Sequence, residues 1–205
     1  MERRSTRSGT PLPRIIACII AMCWPVAALA HTDDSATGFM SGLLHPILGL
    51  DHFLAMMSVG IVSAQLGGRN IWLVPAIFVT AMVMGATVGI YGIEWPLAET
   101  GIAASVLLLG TAVVVVKQGS NVLLIMMVTA LFGSLHGHAH GMEMPRAADP
   151  VFYAGGFLAG TTAIHILGVA IGYFLTTRHD FVRWLRWLGG AIATVGAVFL
   201  FRLAG

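Results

Sequence analysis

The sequence predicts an all-α integral membrane protein with six transmembrane helices behind a cleaved signal peptide, and three observations carry that prediction. Of its 205 residues, 57% are hydrophobic and only 10% charged, against about 25% charged in soluble domains. The apolar residues gather in runs of about 20, the length that crosses a bilayer as a helix. Short turns rich in glycine, proline and charge separate the runs, with no soluble domain, coiled coil or low-complexity tail between them. The net charge of +2 comes from scattered basic residues that mostly abut apolar runs, which argues against a nucleic-acid partner.

Residues 1–30 read as a secretory signal. Arg3, Arg4, Arg7 and Arg14 are basic, an apolar run follows from Ile15, and Ala28-Leu29-Ala30 is a small-x-small cleavage site. Twin-arginine export at Arg3-Arg4 and a lipoprotein box ending at Cys18 both fit poorly, because Cys18 opens the apolar run rather than closing it. An uncleaved first span is the remaining alternative. Cys18 and Cys23 are the only cysteines, so a mature chain starting at His31 has neither disulfide nor thiolate ligand. A free terminal amine and imidazole on His31 can chelate one divalent ion together, which suggests capture; an arbitrary product of cleavage explains the residue equally well.

The mature part, 31–205, divides into spans at about 38–66, 71–93, 99–116, 121–140, 150–176 and 184–203. Gly67-Gly68-Arg69-Asn70 and Lys117-Gln118-Gly119-Ser120 are turns, and Trp95 before Pro96 is a membrane-interface residue. Gly85 and Gly89, then Gly156, Gly160, Gly168 and Gly172, have the small-x-x-x-small spacing that lets transmembrane helices approach closely. An exported start and six spans place both mature termini in the periplasm of a bacterial inner membrane. Basic residues agree: Arg69, Lys117, Arg178, Arg183 and Arg186 fall inside, and Arg146 and Arg202 outside. If the bundle is two halves of three helices, the two histidine-rich spans, first and fourth, are equivalents, a hint of an internal structural repeat.

Two polar constellations interrupt the apolar pattern. In Leu43–Met57, His45, Asp51 and His52 lie inside an apolar run, where an aspartate alone costs about 2.5–3.5 kcal/mol to insert, so function is the default explanation. Imidazole and carboxylate are ligands that nickel, cobalt and zinc accept. A straight helix would hold His45 and His52 about 10.5 Å apart along its axis. Pro46 and Gly49 therefore predict a break that draws them together. The second constellation runs from Gly133 to Pro145, and a similar kink or break is expected in the fourth span. On a helix, His136, His140 and Glu143 share one stripe, a good metal-binding face. His138 points elsewhere, as a mouth ligand or a pH-sensitive group. Met56, Met57, Met142 and Met144 are more simply packing residues, and His165 in the fifth span is either a relay or a satisfied structural histidine.

His45-x5-Asp51-His52 together with His136-Gly137-x-Ala139-His140-Gly141-x-Glu143 resembles the HupE/UreJ family of hydrogenase and urease accessory proteins, which are nickel or cobalt permeases. The resemblance covers the mature chain. It implies metal-site roles for His45, Asp51, His52, His136, His140 and Glu143, and makes His31 similar to the family's mature amino-terminal histidine. Where the family usually has phenylalanine before the second motif, this chain has Leu135, with Phe132 three residues earlier; this reads as a packing change.

The expected activity is therefore uptake of Ni2+, or Co2+, from periplasm to cytoplasm for metalloenzyme maturation. The expected metal residues are His31, His45, Asp51, His52, His136, His138, His140 and Glu143. No prosthetic group is expected, and Zn2+ is a plausible substitute for the transported ion. No enzyme activity is expected. Partners would be the ion, the lipid bilayer, a second copy of the chain and a cytoplasmic metallochaperone. Two other classes fit the residues less well: an intramembrane zinc-dependent hydrolase with Glu143 as base, and a haem anchor, which gives no reason for Asp51 or Glu143.

Overall fold

Seven helices and no strand make up the residues described in the computed structural model, 34–144, 149–178 and 181–205. The helices are α1 (Asp34–Leu48), α2 (Leu50–Leu66), α3 (Asn70–Ile90), α4 (Ala98–Val115), α5 (Val122–Met142), α6 (Pro150–Thr176) and α7 (Val182–Ala204). The expected signal peptide, residues 1–30, and His31 lie outside the described residues. α3 to α7 are each long and apolar enough to cross a membrane, and α1 with α2 makes a sixth span if the bent pair is counted as one. The protein is a multi-pass membrane protein.

α1 and α2 meet at 78°. Pro46 has no N–H to donate to the preceding turn, and at Gly49 the backbone becomes extended, with φ −75° and ψ 105°. The break leaves little backbone unpaired. Gly49 N donates to the His45 carbonyl at 3.2 Å, and Phe53 N donates to the Gly49 carbonyl at 2.8 Å. One residue thus closes α1 and opens α2. A Cβ at Gly49 would stand 3.2 Å from His52 Nδ1 and 3.4 Å from Asp51 Oδ1, so the glycine also keeps room for that pair.

The expected second break is absent: α5 runs as one helix from Val122 to Met142, through the whole histidine motif. It contains no proline, and Gly137 and Gly141 stay helical because α3 leans against them. A Cβ on Gly137 would collide with the Met82 carbonyl oxygen, and one on Gly141 with the Ala86 carbonyl oxygen. Close backbone approach, the usual means of holding helices together in lipid, replaces the kink.

Similar approaches join the rest of the bundle in pairs. Gly42, Gly60, Gly156, Gly160 and Gly168 bring α1 and α2 against α6, while Gly110, Gly189 and Gly196 bring α4 against α7. Span one therefore pairs with span five, two with four, and three with six, the pattern that two equivalent three-helix halves related by a two-fold axis would give. The relation is partial. α2 also packs on α4, and α5 has no matching contact with α7.

α2 is the centre of the bundle. Thirteen of its seventeen residues are buried, as expected of a helix that is apolar all round. Near its end, the Gln65 amide donates to the Val113 and Val116 carbonyls at 2.8 and 3.2 Å, satisfying open groups at the end of α4. Asn121 caps α5 by accepting from Leu124 N, and Asp149 caps α6 by accepting from Val151 N and Phe152 N, with Pro150 in the first helical turn.

The α3–α5 contact yields a direct prediction. Gly137→Ala should destabilise the folded protein by about 1–3 kcal/mol through overpacking. Gly190→Ala, where nothing lies within 4 Å of the added Cβ, should be neutral or stabilising by about 0.5–1 kcal/mol. Thermal unfolding midpoints in detergent micelles measure both.

Candidate metal centre

The break at Gly49 turns the end of α1 and the first turn of α2 toward one face of α5. On α5, His136 and His140 are one turn apart and Glu143 follows, so the three form a stripe. The four rings interleave as a ladder. His45 lies 4.7 Å from His140, His140 lies 4.2 Å from His52, and His52 lies 4.8 Å from His136, measured between ring centroids. His140 sits between the two histidines that a straight helix would have kept apart.

Burial is graded along the ladder. The His45 and Glu143 side chains are 33% and 51% exposed, whereas His136 is wholly buried. The mouth carries the acids. His45 Nε2 is 3.3 Å from Glu143 Oε2, and one ligand atom each from His45, His140 and Glu143 falls within 4.8 Å of the others. The hydrogen bond with His45 holds the Glu143 carboxyl below the ordinary glutamate range, so at neutral pH it is an anion at the rim.

Asp51 orients His52. Its Oδ1 accepts from His52 N at 2.8 Å and from His52 Nδ1 at 2.7 Å, which leaves a lone pair on Nε2. The first turn of a helix suits the carboxylate, because the amide dipoles there favour negative charge. His136 is fixed in a similar way: Nδ1 donates to the Phe132 carbonyl at 2.9 Å, and Nε2 carries the lone pair. Four ladder nitrogens are buried with no hydrogen-bond partner: His52 Nε2, His136 Nε2 and both nitrogens of His140. Each such group costs about 1–3 kcal/mol if nothing answers it. Imidazole nitrogens beside carboxylates are the donor types a borderline divalent cation accepts, and among the described residues His45, His140 and Glu143 are the group whose ligand atoms come closest together.

A cavity of about 290 Å3 opens onto the upper ladder and is lined by His45, Asp51, His52, Glu143 and Glu99. Glu99 is absent from the residues singled out in the sequence. It stands in the first turn of α4, and the only signal for it was a carboxylate just inside the start of an apolar span.

His138 is not part of the ladder. Its Nε2 donates to the Ile93 carbonyl at 2.6 Å, and its ring stacks on Trp95 at 4.5 Å and 5°. It lines a second cavity, of about 300 Å3, that shares Glu99 and Glu143 with the first. Met56 and Met57 pack in the apolar core, and Met142 is exposed. Among the described residues, the structure thus gathers His45, Asp51, His52, His136, His140 and Glu143, and sets His138 to one side. His31 lies outside them.

Comparison with known proteins agrees over most of the chain. A family model described as HupE / UreJ protein matches residues 19–199. Protein HupE of Rhizobium leguminosarum bv. viciae is 40% identical over 189 residues, which cover 91% of this chain and 97% of that protein. No solved structure matches. A match of this extent, on a chain whose paired histidine motifs meet in one site, makes the protein a member of the HupE/UreJ family.

Proposed function

We propose that the protein is a permease that moves Ni2+, and also Co2+, from the periplasm to the cytoplasm for the maturation of metalloenzymes such as hydrogenase or urease. One observation carries the reading: buried, unpartnered imidazole nitrogens from two distant parts of the chain, stacked into a ladder that begins at an acidic mouth. The family supports it, since its members are accessory proteins to nickel enzymes. The family match lends no support to an intramembrane hydrolase.

In this reading Glu99 and Glu143 concentrate the cation at the rim, with His31 as a capturing residue. His45 and His140 then replace part of its hydration shell. His52, oriented by Asp51, and His136 draw it inward as each step exchanges water for nitrogen. Neutral imidazoles suit transport, because a site must bind well enough to admit the ion and weakly enough to release it. Helix movement or protonation of an imidazole would weaken the hold. Both mature termini face the periplasm of the inner membrane, and a cytoplasmic metallochaperone is the natural receiver.

Two measurements test the site. Proteoliposomes enclosing a metal-quenched dye should take up Ni2+ with wild-type protein, and His52→Ala or His140→Ala should lower the initial rate at least about tenfold, the loss expected for an interaction worth about 1.4 kcal/mol. Uptake equal to wild type would remove the ladder from the path. Asp51→Ala should weaken Co2+ binding, read by equilibrium dialysis, about 10- to 100-fold, as loss of a carboxylate that orients a ligating histidine generally does. Asp51→Asn, which keeps an acceptor for His52 Nδ1, should fall between Asp51→Ala and wild type.

A further inference from the structure

Besides His138, one more buried imidazole lies outside the ladder. His165, in the middle of α6, is 3% exposed. Its Nδ1 lies 2.8 Å from the Thr161 carbonyl, and since a carbonyl only accepts, Nδ1 holds the proton and Nε2 a lone pair. Nε2 is buried with no partner, and so is Thr161 Oγ1 one turn earlier. His136 is held by the same device, with Nδ1 on the carbonyl four residues back and Nε2 open. Phe78 of α3 touches both rings, with centroids 5.6 Å from His136 and 5.1 Å from His165. If His165 served packing alone, a phenylalanine or leucine would fill the space with no polar atom left unanswered.

What lies beyond His165 completes the picture. It borders an apolar cavity of about 350 Å3 between α3 and α6. Ile71 lines that cavity and also one of about 450 Å3 at the end of the bundle opposite the ladder, beside Gln65, Lys117 and Arg186. Pro75 offers no N–H to the Ile71 carbonyl, so a residue that lines both cavities has a backbone oxygen without its helical donor.

We infer that His165 is a second, inner ligand for the permeating divalent cation, taking it from His136 across Phe78 and passing it toward the cavity at the far end. The inference rests on the permease reading. Among the described residues no carboxylate lines the cavity beside His165. One neutral imidazole with oxygen donors therefore holds a cation less firmly than the ladder with its acids, and such a descent in affinity lets an ion leave a deep site.

The test uses full-length protein in proteoliposomes with Ni2+ as the probe, and two variants. His165→Phe keeps ring volume without a ligand; His165→Asn keeps a hydrogen-bonding side chain without the imidazole. Both should lower Ni2+ uptake at least tenfold while Co2+ binding at the ladder, read from its visible absorption, keeps its affinity. Uptake at the wild-type rate by His165→Phe would reduce His165 to packing, and by His165→Asn to a hydrogen bond with Thr161; either result overturns the inference. Absence of uptake by wild type overturns the permease reading instead. If both variants lose Co2+ binding through misfolding, crystals of wild type soaked in excess Ni2+ decide the matter. An anomalous peak beside His165 Nε2 supports the inner ligand, and a peak at the ladder alone overturns it.

Discussion

A cation cannot enter lipid unless something replaces its water, and histidines cannot sit in lipid with open nitrogens unless something answers them. In the proposed permease reading these two costs offset each other. The ladder from His45 to His136 leaves four nitrogens buried and unpaired, an arrangement that lowers stability unless a ligand answers it. The 78° break between α1 and α2 makes it possible. Without it, His45 and His52 would face α5 about two turns apart, and His140 could not stand between them.

The bundle is organised to hold that break in place. Close contacts along Gly42, Gly156 and Gly160 fix α1 against α6, and those along Gly133, Gly137 and Gly141 fix α5 against α3. The broken span and the unbroken one are thus each gripped by a different partner, and they meet only through their histidines and the surrounding core. α2 carries the load between them. It runs about 25 Å, by its length at 1.5 Å per residue, from the ladder to the glycine turn at Gly67 and Gly68, where positive φ angles of 72° and 57° let the chain reverse.

Charge is distributed along the same axis. Glu99, Glu143 and Asp51 line the cavity at one end, and Lys117 and Arg186 line the cavity at the other. A divalent cation is attracted to the first and repelled by the second. Between them the donors are uncharged. In the proposed permease reading this polarity suits entry at the acidic end and departure at the basic one, the end that the sequence expectation places in the cytoplasm.

Much of this was legible in one dimension. Composition and run length are local properties, so they reveal an all-helical membrane protein, and Pro46 with Gly49 reveals where its first span breaks. Histidine and acid spacing puts His136, His140 and Glu143 on one stripe, because an i, i+4, i+7 pattern follows from helical geometry alone. Tertiary structure decided the rest. The fourth span was expected to break at its histidine motif, yet it stays helical, with α3 filling the space that the missing side chains of Gly137 and Gly141 leave. His138 belongs to the same motif as His136 and His140, yet a rotation of 200° along the helix turns it to Trp95. Glu99 carries no motif and becomes part of the site only because α4 brings it to the rim. Which groups converge is a property of helices packed against one another, and no spacing within a single helix encodes it.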